Sequence, residues 1–176
     1  MQMNEGLDTG DILLTKKHSI SNFETSGSLT ESLSILGAEL LIDAIDQLPN
    51  LNQKIQEHSN ATYAKKILKA EARIDWNQSA GNINQMIRAF NPRPIAQSNA
   101  EAMEFKDKVL RIIEAEVISS ETSEPPGTII EHNKEVCHIA TGAGILSLKR
   151  VQLAGKKVAQ IKDFNNAYQL LKLSNS

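Results

Sequence analysis

Leu29, Leu33, Leu36, Leu40, Leu41, Ile45 and Leu48 recur mostly at spacings of three and four before Pro49. That spacing predicts a helix with one broad apolar stripe, a face that must pack against a sheet or another helix. Ser28 with Glu31 fits a capping box at its start, and Pro49 stops it. Upstream lie only the turn residues Gly6, Asp8, Gly10 and Asp11, then a short predicted strand at Ile12, Leu13 and Leu14. One helix and so little strand cannot build an independent core. The stripe therefore predicts a covering element outside this region, and a chain of 176 residues that begins inside a larger domain.

The rest of the chain reads differently. Residues 50–72 are polar and lack a strong period, as in a linker with a short helical turn. Ile83, Met86, Ile87 and Phe90 predict a second helix from Gly81 to Phe90, closed by Pro92 and Pro94. Val109–Ile118, Thr128–Ile130, Val136–Ala140 and Ile145–Leu153 are β-prone runs separated by Gly and Pro turns, which predicts a small barrel or sandwich. A last helix is expected from Asp163, with Phe164, Ala167, Leu170 and Leu171 inward. No apolar run is long enough to cross a membrane as a helix, and the first residues do not form a secretory signal. The single cysteine, Cys137, allows no intramolecular disulfide and favours a cytoplasmic setting. With four scattered histidines it makes no structural zinc site, and no metal is expected.

The net charge of -2 hides a gradient. Residues 1–50 carry two lysines against eight acids, and residues 51–100 carry seven bases against three acids. No acid occurs between Glu135 and Asp163, where Lys149, Arg150, Lys156, Lys157 and Lys162 do. Two basic segments in a weakly acidic chain point to a local anionic partner, against the ordinary reading of solvated surface lysines.

Several stretches, in order, carry a resemblance. They are GLDTGDILL (Gly6 to Leu14), ETSGSL (Glu24 to Leu29), LGAELL in the predicted helix, ATYAKKILKAEARIDW (Ala61 to Trp76), IRAFNPRP (Ile87 to Pro94), PGTI (Pro126 to Ile129) and ATGAGILSLKRVQLAGKK (Ala140 to Lys157). Together they resemble methionyl-tRNA formyltransferases over nearly the whole chain. The resemblance implies an α+β architecture. Residues 1–51 would be the tail of a Rossmann-like α/β formyltransferase domain, 52–70 a basic linker, and 71–176 a C-terminal OB-fold-like β-barrel with flanking helices. Two departures stand out. Arg93 occupies a position where the family commonly has an aromatic residue, and Ala96 to Glu104 is polar and Ala-rich where the family's strand is usually apolar.

The implied reaction moves a formyl group from formyl-tetrahydrofolate, as co-substrate, to the methionine amine of initiator methionyl-tRNA. Such a transfer needs a donor to the tetrahedral oxyanion and a route for the amine proton. In the family these roles fall to an Asn, a His and an Asp. The resemblance carries the Asp onto Asp8, with Gly6, Leu7 and Asp8 as co-substrate contacts; the ordinary reading of Asp8 alone is a turn-capping aspartate. The Asn and His belong to a segment absent from this sequence, and His18, His58, His132 and His138 do not sit in the matching motif. The chain is therefore expected to be inactive unless another polypeptide supplies that segment, and to be a monomer or to associate with such a half.

The resemblance also gives the basic segments a reading. Lys66 and Lys69 fit the family's Tyr-Ala-x-Lys-x-x-Lys pattern from Tyr63. Together with Arg73 they would meet tRNA phosphates, as would Lys149, Arg150, Lys156 and Lys157 on the barrel. Trp76, Phe90 and Tyr63 are read as packing residues, because 4% aromatics is too few for a stacking platform. A stand-alone RNA-binding module and another folate-dependent formyltransferase are the competing readings, and the linker motif argues against the second.

Overall fold

The computed structural model describes residues 1–174, which divide into two compact units at Lys66 and Ile67.

The first unit, Met1–Lys66, is built around a helix α1, Ser26–Gln47. Its cap differs from the sequence expectation. Thr25, in extended conformation, is the N-cap; its hydroxyl accepts from the Ser28 amide at 3.2 Å, and the Ser28 hydroxyl accepts from the Thr25 amide at 3.0 Å. The box is thus Thr25–Ser28, three residues upstream of Ser28–Glu31, because a serine at the third helical position answers the N-cap amide as well as a glutamate does. The helix ends at Gln47, and Pro49 sits in the single 3-10 turn Leu48–Asn50 that follows. No residue of α1 is buried, and Leu33, Ile35, Leu41, Ile42 and Ile45 are exposed. The expected strand at Ile12–Leu14 is instead one antiparallel bridge between Ile12 and Lys54, with reciprocal N–H···O bonds of 2.9 Å. With no second partner strand, pairing there does not propagate.

The second unit, from Ile67 onward, holds the core. A 3-10 turn, Lys69–Ala72, precedes helix α2, Ala80–Ala89. Strands β1 (Gln97–Ala102), β2 (Phe105–Ser119), β3 (Ile129–His132), β4 (Cys137–Ala140) and β5 (Ile145–Leu153) follow. The short β6 (Ala159–Gln160), helix α3 (Ile161–Ala167) and β7 (Leu170–Ser174) end the described chain. All pairings between these strands are antiparallel, in the order β3-β4-β5-β2-β1-β7, with β6 on β5. The two ends of that order come together. Gly127, two residues before β3, has φ +84, and a Cβ on it would stand 2.8 Å from the Leu173 carbonyl of β7. The sheet is therefore barrel-like and nearly closed.

Alternation interrupted by register shifts fills the interior. Leu110 and Ile112 of β2 and Leu146, Leu148, Val151 and Leu153 of β5 point inward, and Ile83 and Ile87 of α2 close over them. The polar, Ala-rich β1 is a strand paired on both sides, with a register shift at Glu101. Its buried side chains are Ser98, Ala100 and Ala102, with Ala96 just before it. These small side chains leave room for Trp76, whose indole N–H donates to the Ser98 hydroxyl at 3.0 Å. Leu170 and Leu171 belong to β7 rather than to a helix; α3 ends at Ala167, so Leu170 is buried and Leu171 exposed.

The stretch Ala140–Gly144 is a clasp. Its Gly142 amide donates to the carbonyls of Trp76 and Gln78, each at 2.9 Å, and the Ala80 amide donates to the Ala143 carbonyl at 2.8 Å. The buried Thr141 hydroxyl reaches the carbonyls of Ala143 and Gly144 at 2.9 and 2.8 Å. Gly142 leaves no space for a side chain against the Asn77 backbone.

Cys137 is fully buried in β4, and burial pushes its thiol up to about 12. The unfolded thiol ionises near pH 8.5, so this group stabilises the fold below that pH and the contribution fades as pH rises towards 12. Iodoacetamide at pH 8 should label Cys137 only as fast as the second unit unfolds, a rate that mass spectrometry follows directly.

Candidate functional site

Asp8 lies in the turn from Gly6 to Asp11 and adopts φ 55, a left-handed conformation that Asp tolerates better than most residues. The two glycines flanking it do not supply positive φ. Gly10 is buried, and a Cβ there would fall on the Gln2 carbonyl, so glycine is needed for close backbone approach. Asn4 holds one side of the turn, its Oδ1 accepting from the Gly6 amide at 3.1 Å and from the Thr9 hydroxyl at 2.8 Å. Gln56 holds the other side: its Nε2 donates to the carbonyls of Asp8 at 3.0 Å and Gly10 at 2.6 Å. The Gln2 amide closes the turn onto the Asp11 carbonyl at 2.8 Å.

A cavity of about 950 Å³ opens beside this turn. Leu7 and Asp8 line it together with Thr9, Ile12 and the segment from Lys54 to Ala64, which brings Glu57, His58 and Tyr63 to its wall. Gly6 does not line it. Tyr63 is 87% exposed, which corrects its reading as a packing residue. The site therefore offers a carboxylate on a held turn, with Lys54 and His58 as cationic or hydrogen-bonding groups and Leu7, Ile12 and Ile55 as apolar surface. His58, Gln56 and Lys54 were not singled out from sequence, since their segment carries no period and no motif of its own.

The basic residues separate into two kinds. Lys149 pairs with Glu116 at 2.9 Å, and Arg150 stands 3.9 Å from Glu114. Both acids come from β2, the neighbour of β5, so the acid-free run along the sequence is offset across the sheet. Arg73 behaves otherwise. It pairs with Gln97, Gln97 with Arg111, and Arg111 with Gln152, so these four residues form one row on the outer face of the sheet. Arg111 donates from Nη1 to Oε1 of Gln152 at 3.1 Å, an amide and not a carboxylate. Gln152 in turn donates to the Lys156 carbonyl at 2.8 Å, which ties the turn bearing Lys156 and Lys157 to the end of the row. Sequence reading missed Arg111, hidden inside an apolar strand; its position opposite Gln97 and Gln152 needed the register. Lys66 ends the first unit and Lys69 lies in the 3-10 turn of the second, both exposed. Arg93 is exposed between Pro92 and Pro94. Among the described residues no cluster of His, Cys, Asp and Glu could hold a metal ion, and no helix is long and apolar enough to cross a membrane.

Comparison with known proteins bears on both units. The chain is similar to the methionyl-tRNA formyltransferase of Coxiella burnetii strain RSA 331, 43% identical over 170 residues, covering 96% of this chain and 52% of the relative. The corresponding protein of strain CbuK_Q154 is 42% identical over the same length and coverage. The chain thus spans about half the length of these curated relatives and corresponds to their C-terminal part. In fold it is similar to a multiple variant of HypX from Aquifex aeolicus, with a TM-score of 0.64, 16% identity, and coverage of 94% of this chain and 29% of that one. HypX in complex with tetrahydrofolic acid matches with a TM-score of 0.62, at 17% identity over 92% of this chain and 28% of that one. Residues 66–169 match the family described as formyl transferase, C-terminal domain. The barrel-like unit accounts for nearly all of that span, and the chain belongs to this formyl transferase C-terminal domain family.

Proposed function

We propose that this chain is part of an enzyme that transfers a formyl group from formyl-tetrahydrofolate to the methionine amine of initiator methionyl-tRNA, in the cytoplasm at translation initiation. The observation that carries the reading is 43% identity over 170 residues, 96% of this chain, to a methionyl-tRNA formyltransferase. Residues 1–51 are read as the tail of a Rossmann-like catalytic domain, 52–70 as the linker, and 71–176 as an OB-fold-like tRNA-binding domain. The exposed apolar side chains of α1 support the first assignment, because so many on one helix need a sheet or helix over them.

In this reading Asp8 is the catalytic carboxylate, and Leu7 with Asp8 meets the folate or the amine at the cavity mouth. A carboxylate there accepts charge as the attacking amine becomes cationic and orients the group that removes its proton. One carboxylate does not complete the reaction: the oxyanion donor and the proton carrier come from outside this chain. Alone, the chain is therefore inactive. On the RNA side, the Arg73–Arg111 row with Lys156 and Lys157 is the stronger barrel surface, and Lys66 and Lys69 serve the linker. Lys149 and Arg150 are weaker contributors, because each already faces a carboxylate.

A second reading, a non-catalytic RNA-binding module, draws on the contrast between the closed core of the second unit and the coreless first. One experiment addresses both. Initiator tRNA binding to the chain should weaken as salt rises, and Arg73→Ala with Arg111→Ala should lower the slope of log affinity against log salt by about one to two. Formyl transfer should be absent from the chain alone and appear when the separately expressed N-terminal half of the Coxiella burnetii relative is added. Turnover by the chain alone would refute the missing-group argument. Tight tRNA binding with no turnover in the mixture would favour the module.

A further inference from the structure

We infer that Gln56 is a positioning residue for the Asp8 carboxylate, acting through the backbone of the turn that carries it. The inference rests on the reading of Asp8 as catalytic. A left-handed backbone is unfavourable for most residues with a side chain, and even an Asp adopts it reliably only where its surroundings hold it. Asp8 lies outside the ladder: the flanking pairs are Gln2 with Asp11 and Ile12 with Lys54. Gln56 alone among the described residues bonds the Asp8 carbonyl directly, and the same nitrogen bonds the Gly10 carbonyl.

The chemistry suits the task. A primary amide carries two hydrogens on one nitrogen, so it can serve two carbonyls at once. Those carbonyls bracket Thr9. Holding both fixes the peptide plane after Asp8, and with it the direction in which Asp8 leaves the turn. The donor is itself anchored, because Lys54, two residues earlier, makes both of its backbone bonds to Ile12 at 2.9 Å. Gln56 is half-buried and its bond to Gly10 is part-buried, so water competes less for that acceptor; the bond to Asp8 is exposed and relies on the same anchored nitrogen. On the opposite side Asn4 binds the Gly6 amide and the Thr9 hydroxyl. Two side-chain amides therefore grip the turn from both sides, and only Gln56 grips Asp8 itself.

The test uses the whole chain and three variants. In the wild type, the Asp8 amide should show the strong intraresidue HN–Hα NOE of a positive φ. Gln56→Glu keeps the shape but at neutral pH has no hydrogen to donate; the NOE should fall to a conformational average while the Ile12 and Lys54 amides keep their exchange protection. Gln56→Lys restores a donor and should restore the NOE. Mixed with the relative's N-terminal half, Gln56→Glu should lower kcat about tenfold or more with KM unchanged. The inference is overturned if Gln56→Glu leaves the NOE intact, if it also strips protection from Ile12 and Lys54, or if Gln56→Lys behaves like Gln56→Glu. Asp8→Asn separates the two layers: unchanged turnover there would sink the catalytic reading of Asp8, while the NMR result still decides whether Gln56 sets the turn.

Discussion

Trp76→Ala should destabilise the second unit by about 3–5 kcal/mol, the cost of emptying a large aromatic site in a packed core. Trp76 is 1% exposed, and its ring packs beneath Gly127, where the two ends of the sheet order meet. Its N–H is the partner of the Ser98 hydroxyl, which also reaches the Ser174 carbonyl of β7 at 3.1 Å. Removing the indole therefore loosens β1, β7 and the entry to β3 together. Domains of this size hold only about 5–15 kcal/mol in total, and each kcal/mol moves the midpoint by about 4–8 °C. Far-UV circular dichroism is the right probe, since Trp76 is the only tryptophan and fluorescence would vanish with it. Trp76→Phe keeps part of the volume and loses the donor, so it should fall between the two. A variant melting within a few degrees of wild type would show that the barrel end is not sealed by this residue.

Gly144→Ala should cost the next largest amount. Gly144 has φ +93, and a Cβ there would fall against the Ser119 carbonyl at the end of β2, with the Ser120 α-carbon at 3.2 Å. The backbone conformation alone costs about 1–3 kcal/mol for a residue with a side chain, and relieving the clash must shift β2 against β5. Gly155 provides the control. Its φ is +79 but its surroundings are open, so Gly155→Ala should show the conformational cost without the clash. Urea midpoints of the two variants, taken at unchanged m, measure the difference. Equal losses would mean that the Ser119 contact adds nothing.

What was legible in the sequence follows the range of the interactions that decide each element. Ile145–Leu153 was read to the residue, because alternation between Gly144 and Ala154 is a purely local signal. Residues 97–102 carry no strand signal, because their inward positions are alanine and serine; what makes them a strand is pairing with β2 and β7, with Trp76 bonded to Ser98. Leu170 and Leu171 continue a helical spacing that the sheet overrides, since β1 offers Ala102 to Leu170 and Glu101 to Lys172, with Leu171 at the register shift between them. The charge run at Lys149 and Arg150 was misleading for the same reason, as its counter-charges lie on β2. At the candidate site, the turn carrying Asp8 is singled out by a motif, whereas Gln56 has no signal at all. Its role exists only because the Ile12–Lys54 bridge folds its segment back onto the turn.

Helix α1 carries a consequence of a colloidal kind. Leu33, Ile35, Leu41, Ile42 and Ile45 along its 22 residues are exposed, and exposed apolar side chains of this sort favour self-association. Association between chains depends on how many are present, whereas melting of the second unit does not. Two limits then govern the same molecule: temperature sets the ceiling for the barrel, and protein concentration sets it for the segment that precedes it.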